Sequence, residues 1–206
     1  MKKKAGLRCP KRKKFFLSHS GAVVRHEGCM TQSTSFSPEA SRQNLRSFGA
    51  HYDYDTSYLE ELLDASAAAF QAFEAAMPMA RVREAAPVDL TMIAKLAAMN
   101  AQDCGPCTLL SVKMAREAGL DEATIRATLK GGEKLEGDQR DVHDYAVAVA
   151  LNQELPAGLL PRLRERLGDE IIAELAVNIV ATKLYPTLKR ALGHSQSCAL
   201  IPELAG

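Results

Sequence analysis

From residue 55 onward, apolar positions recur at spacings of three and four, the period of helices that bury one face. Glycine and proline punctuate the pattern, no stretch alternates as a strand would, and no segment repeats. The predicted body is all-α. A Ser57-x-x-Glu60 capping-box pattern opens the first helix, which carries Leu59, Leu62 and Leu63 to a break near Ser66 and continues through Phe70 and Phe73 to Pro78. Pro87 and Asp89 start a second, with Leu90, Ile93, Leu96 and Ala97 at helical spacing and an end near Asn100. A third follows Asp103 and stops at Gly119. Asp121 caps a short one ending at Gly131-Gly132, and Asp138 opens another whose stripe is Val142, Tyr145, Ala146 and Val149. Leu159, Leu160, Leu163 and Leu167 follow Pro156 and are closed by Gly168. The last helix begins at Asp169 and meets Pro186, which is expected to end or bend it near Tyr185 because proline lacks the amide and crowds the carbonyl four residues back.

Residues 1–54 show no sustained period and are rich in Lys, Ser, Gln and Gly, so they read as a disordered N-terminal segment ahead of a helical domain at 55–206. Charge divides the chain in the same direction. Residues 1–30 carry +8 while residues 31–206 sum to −7, although the whole chain is only +1. Character changes at Met30, so the first 29 residues are read as an artefact of start-codon choice, with a disordered basic tail or an organelle-targeting segment as the alternatives, and residues 1–30 are expected to be dispensable for folding and redox activity. The acidic body argues against nucleic acid as a partner, since binding there rests on Lys and Arg neutralising phosphates. No apolar run is expected to reach the ~20 residues that span a bilayer, so no membrane association is expected. Aromatic residues at 5% and the absence of Trp lower the prospect of sheet. Five cysteines, an odd number with one close pair, do not make a secreted disulfide framework, and the N-terminus develops no signal-length apolar core; both point to the cytoplasm.

The close pair is Cys104-Gly105-Pro106-Cys107, placed where a helix begins. Two thiols three positions apart can close a small disulfide ring with little backbone movement, and the unpaired amides and positive dipole end of a helix start favour the reactive thiolate. Asp103 next door opposes that charge. The same tetrad occurs in thioredoxin, which needs flanking strands and a preceding Trp that this chain lacks.

The helical setting is different. An apolar helix ending in Asn100, the Cys-x-x-Cys pair, then Met114-Ala115-Arg116-Glu117-Ala118-Gly119-Leu120 and an acid-capped short helix resemble the carboxymuconolactone decarboxylase-like family, which includes the AhpD-like alkylhydroperoxidases. The resemblance covers about residues 55–198 and is densest over 90–129; the stretch from Pro186 to His194 is also similar to members of this superfamily. It implies a compact helical bundle that assembles as a trimer or hexamer, needs no cofactor, and reduces a small-molecule peroxide or disulfide with electrons from an unidentified thiol donor. It also implies that Cys107 is the attacking cysteine and Cys104 the resolving one. The family's relay Glu and His fall at Met92 and Ser111, which cannot move protons in that way, so slow turnover is expected.

Two other residues are candidates for the missing help. Lys95, on one helix face with Thr91, Ala98 and Gln102, either stabilises a thiolate or extends its ammonium to solvent or an acid. His143, near Val147 and Ala150 on its helix, serves either as a relay or as a hydrogen-bonded structural imidazole. Two readings outside redox chemistry remain. One is a non-catalytic helical oligomer; the other is a zinc site made of Cys104, Cys107, His194 and Cys198.

Overall fold

The computed structural model describes residues 36–194, which form nine α-helices and one 3₁₀ turn, with no strand among the described residues. In chain order these are α1 (Pro38–Tyr52), α2 (Ser57–Ala65), α3 (Ala67–Glu74), the 3₁₀ turn (Met77–Arg81), α4 (Val88–Asn100), α5 (Gly105–Glu117), α6 (Glu122–Leu129), α7 (Gly137–Ala150), α8 (Leu159–Leu167) and α9 (Asp169–Ala191). The expectations for residues 1–29, and for Cys198, lie outside the described residues.

α4 is the axis of the larger core. Eight of its thirteen residues are buried, and it packs against α5, α6, α7 and α9. Ala94, Ala97 and Ala98 leave room for neighbouring backbones to approach, while Leu90, Ile93 and Leu96 supply the apolar volume. Val112, Ile125, Val142, Leu163, Leu175 and Ile179 meet them from α5 to α9.

A second cluster corrects the boundary drawn at residue 54. Residues 38–52 are helical: the Ser37 side chain accepts from the Ala40 amide, Pro38 stands at the helix start, and Leu45 is buried with Tyr58, Leu59, Leu63 and Phe70. Arg42 and Arg46 reach Asp64 and Glu60 on α2, which fixes the polar side of the pair. A single inward Leu over fifteen residues is a weak periodic signal, and the partners that make it informative lie on other helices. Leu188 and Leu192 bring the end of α9 onto this cluster.

Two details of helix ends also differ from expectation. Thr56, not Ser57, is the N-cap of α2; the Ser57 amide donates to Asp55 Oδ1 at 2.9 Å, and no side chain closes a capping box. Ser66 does interrupt the run, ending α2 and capping α3 through the Ala69 amide. α9 runs unbroken through Pro186 to Ala191. Burial of Pro186 and Lys189 on the same side, with Leu188 and Leu192 packed on the second cluster, holds the helix beyond the missing hydrogen bond.

By length and composition α9 could cross a membrane, contrary to the expectation that no run was long enough. Its inward side is polar in places, and most of those groups are bonded to protein, the Asn178 side-chain oxygen being the exception. Glu174 accepts the amides of Glu84, Ala85 and Ala86, Asn178 donates to the Val82 carbonyl at 2.7 Å, and Thr182 donates to the Asn178 carbonyl at 2.8 Å.

Candidate functional site

The turn from α4 into α5 builds the site. Asp103 adopts a left-handed conformation, φ 50°, which swings the chain so that Cys104 caps α5 and Cys107 follows one turn inside it. Pro106 is tolerated there because the first-turn amides have no intrahelical acceptors. The two sulfurs lie 2.6 Å apart as free thiols, and both are buried, Cys104 at 6% and Cys107 at 1% exposure, against Met99 of α4.

Two aromatic hydroxyls and one ammonium surround the pair. Tyr54 Oη is 3.5 Å from Cys107 Sγ and 3.5 Å from Tyr58 Oη. The link between α1 and α2 holds Tyr54 there: its amide donates to the Gly49 carbonyl, and Lys113 of α5 donates to the carbonyl of Tyr52 at 2.5 Å. Gly49 is required at this approach, since a Cβ would stand 2.8 Å from the Tyr54 carbonyl oxygen. Lys189, only 5% exposed, places Nζ 4.6 Å and 4.7 Å from the ring centroids of Tyr54 and Tyr58, a pair of cation–π contacts. Arg190 donates to the carbonyls of Gln102 and Asp103, clamping the turn before Cys104.

This environment treats the thiols unequally. The adjoining Cys107 thiol above all, with the Cys107 amide and the charges of Lys189 and Arg190, brings Cys104 down to about 6 against the opposing effect of burial. Cys107 is pushed up from the ordinary thiol value by the Cys104 sulfur beside it and by burial, with Tyr54 and Lys189 working the other way. The pair therefore gives up its first proton readily and holds the second. Burial, then the neighbouring Tyr58 and Cys107, raises the Tyr54 hydroxyl far above its usual range, so it remains a donor.

Cys107 opens onto a cavity of about 310 Å³, and Cys104 is not among the residues lining it. Leu45 and Phe48 of α1, Leu59 of α2, and Leu110 and Met114 of α5 line it with apolar side chains, Tyr54, Tyr58 and Tyr185 with aromatic ones, and Lys95, Arg81 and Glu74 bring charge to it. Ser111, the position of the family's relay His, faces this same cavity, whereas Met92 packs on the main core. Lys95 thus shares a space with Cys107. Its Nζ donates to the Ala80 carbonyl at 2.9 Å, and burial first, with Arg81 nearby, lowers its pKa.

His143 is elsewhere. At 4% exposure it engages the Thr128 carbonyl through Nε2 at 3.2 Å and Asp144 through Nδ1 at 2.9 Å, and it does not line the cavity. His194 meets Glu61 at 2.5 Å, and its ring lies tilted, 6.3 Å from that of Tyr58. Among the described residues no three His, Cys, Asp or Glu side chains gather as a metal-ligand set.

Sequence reasoning missed Tyr54, Tyr58 and Lys189. Tyr54 fell in the segment read as disordered, and Lys189 follows a proline expected to end its helix. No local signal could have paired the two tyrosines: Tyr58 is on α2 but Tyr54 lies in the link before it, so their proximity is decided by the path of that link and not by helical spacing. No family model, curated protein or solved structure matches this chain.

Proposed function

We propose that the protein is a thiol-dependent oxidoreductase that reduces a small hydroperoxide, or a disulfide, through Cys107 and Cys104. The observation that carries this reading is the direct contact between two free, buried thiols, one of which faces a cavity large enough for a small molecule. Resemblance to the carboxymuconolactone decarboxylase-like family supports it through the same pair at the same helix start.

The chemistry uses the inequality of the two sulfurs. Cys104 carries the resting thiolate, held by Lys189 and Arg190, and takes the proton of Cys107 across their short contact as Cys107 attacks the peroxide. The O–O bond breaks, Cys107 becomes a sulfenic acid, and the departing alkoxide takes a proton to leave as the alcohol. Cys104, deprotonated again, then attacks Cys107 Sγ; the S–O bond breaks, the S–S bond forms, and hydroxide leaves with a proton as water. The peroxide has gained the two electrons that the dithiol lost. An external dithiol restores the pair by two thiol–disulfide exchanges and is itself oxidised. In this scheme Cys104 does the proton work that Met92 and Ser111 cannot.

The test is a mass-spectrometric thiol count after one equivalent of cumene hydroperoxide. In wild type the Cys104–Cys107 peptide loses both alkylatable thiols and recovers them with dithiothreitol; in Cys104→Ser, Cys107 is trapped by a sulfenic-acid reagent. If both thiols of the wild type stay alkylatable, the redox reading fails and the non-catalytic helical oligomer takes its place.

A further inference from the structure

Resting on the redox reading above, we propose that the cavity beside Cys107 is a site for an amphipathic carboxylate, so that the preferred substrate is a fatty-acid hydroperoxide and not a neutral one, its carboxylate taken by Lys95 and Arg81. The cavity sets two requirements that such a ligand meets together. Its wall is mostly apolar, built from Leu45, Phe48, Leu110 and Met114, and its volume of about 310 Å³ lies at the lower end for small-molecule sites. A hydrocarbon chain fills that space and removes both surfaces from water.

The second requirement is electrostatic. Lys95 brings three donors into this apolar space and spends one on the Ala80 carbonyl. Neither Lys95 nor Arg81 has a carboxylate within ion-pair distance among the described residues, although Glu74 lines the same cavity. Arg81 stands at the exposed rim and Lys95 and Glu74 are half-buried, so the three leave one net positive charge at the cavity, and the cost of a charge without a partner falls on Lys95. A ligand carboxylate supplies the partner and the acceptors that Lys95 lacks. Geometry then orients the chain. Lys95 stands one helical turn before Met99 on α4, and Met99 touches the dithiol, so a ligand anchored at Lys95 lies against the wall that carries Cys107.

Calorimetric titration with octanoate, octanol and methyl octanoate tests the site without any turnover. It is run on the reduced wild type, on Lys95→Met, Lys95→Arg and Arg81→Gln, and on the Cys104→Ser/Cys107→Ser variant, each checked for helical content and melting. The expected result is octanoate binding about tenfold tighter than its neutral analogues, a factor worth ~1.4 kcal/mol. That preference disappears in Lys95→Met, weakens in Arg81→Gln, returns in Lys95→Arg, and survives loss of both cysteines. Equal binding of octanoate and octanol to the wild type overturns the proposal, as does an octanoate preference that persists in Lys95→Met, or no binding of any of the three. Octanoate preference in a protein whose thiols resist peroxide supports the anion site and overturns only the redox reading.

Discussion

Tyr54 Oη stands 3.5 Å from Cys107 Sγ, and it reaches that position from a segment fifty-three residues earlier in the chain. The hydroxyl stays protonated, so it can steady a charge on Cys107 in the attacking state. A hydrogen bond to a charged group is worth ~1.5–3 kcal/mol, which corresponds to about tenfold or more in rate. Tyr54→Phe, which keeps the ring under Lys189, is expected to slow peroxide-driven disulfide formation by about that factor while leaving the melting temperature little changed. Stopped-flow thiol consumption checks it.

The lowered pKa of Cys104 fixes the pH behaviour of the reduced protein. Iodoacetamide labelling of Cys104 in Cys107-containing protein should rise with a midpoint of about 6, well below the ordinary thiol value. Lys189→Met is expected to move that midpoint upward, because it removes a cation that favours the thiolate. Stability follows with a definite sign. A depressed folded-state pKa adds stability that is complete above the unfolded value, near ~8.5, and lost as pH falls through about 6. Cys107, shifted the other way, costs stability as pH climbs past the ordinary thiol range. Urea denaturation of the reduced protein should therefore show stability rising from pH 6 toward 8.5 and then falling, a profile absent from the double cysteine variant.

Ser111 faces the cavity one turn beyond Cys107, where a base could reach the reacting sulfur. General acid–base assistance contributes ~10²- to 10⁴-fold. Ser111→His is expected to speed peroxide turnover by about tenfold or more, and no gain in steady-state assays would mean that proton transfer does not limit the rate.

Gly132 has φ 75° and faces the imidazole of His143. A Cβ there would stand 2.6 Å from Nδ1, so Gly132→Ala combines a strained backbone with a displaced buried ring. A loss of at least ~1–3 kcal/mol is expected by urea denaturation. Disulfide formation in the folded fraction should be unaffected, since His143 does not line the cavity.

Val82, Leu151 and Val180 are the exposed large apolar side chains among the described residues, and singly exposed residues of this kind do not by themselves mark an interface, so the expectation of a multimer rests on the resemblance alone. Light scattering at micromolar concentration is expected to give a multimer, a trimer or hexamer by the family parallel. A monomer mass would remove that part of the parallel and leave the fold description as it is.

How much of this was legible depends on the range of each interaction. Helix α6 could be read because Asp121, its capping side chain, and the glycines beyond Leu129 act within a few residues of the helix they bound. The Cys104–Cys107 spacing is equally local, and its place at the start of α5 follows from the turn and Pro106. α1 could not be read in the same way, because its one buried leucine acquires meaning only from Tyr58, Leu63 and Phe70 on other helices. Pro186 shows the limit from the other side: the local rule predicts a helix end, and packing of the residues around it overrides the rule.

The sequence by itself determined an all-α body, most of its helix ends and the dithiol at the start of α5, since period, caps and adjacent residues act over one or two turns. Only the tertiary structure decided that Cys107 and not Cys104 meets the cavity, that Lys95 shares it and His143 does not, and that Tyr54 and Lys189 surround the sulfurs. Those placements depend on how α1, α4, α5 and α9 pack against one another, and a residue's own neighbours in the chain carry no record of which distant helix will lie across it.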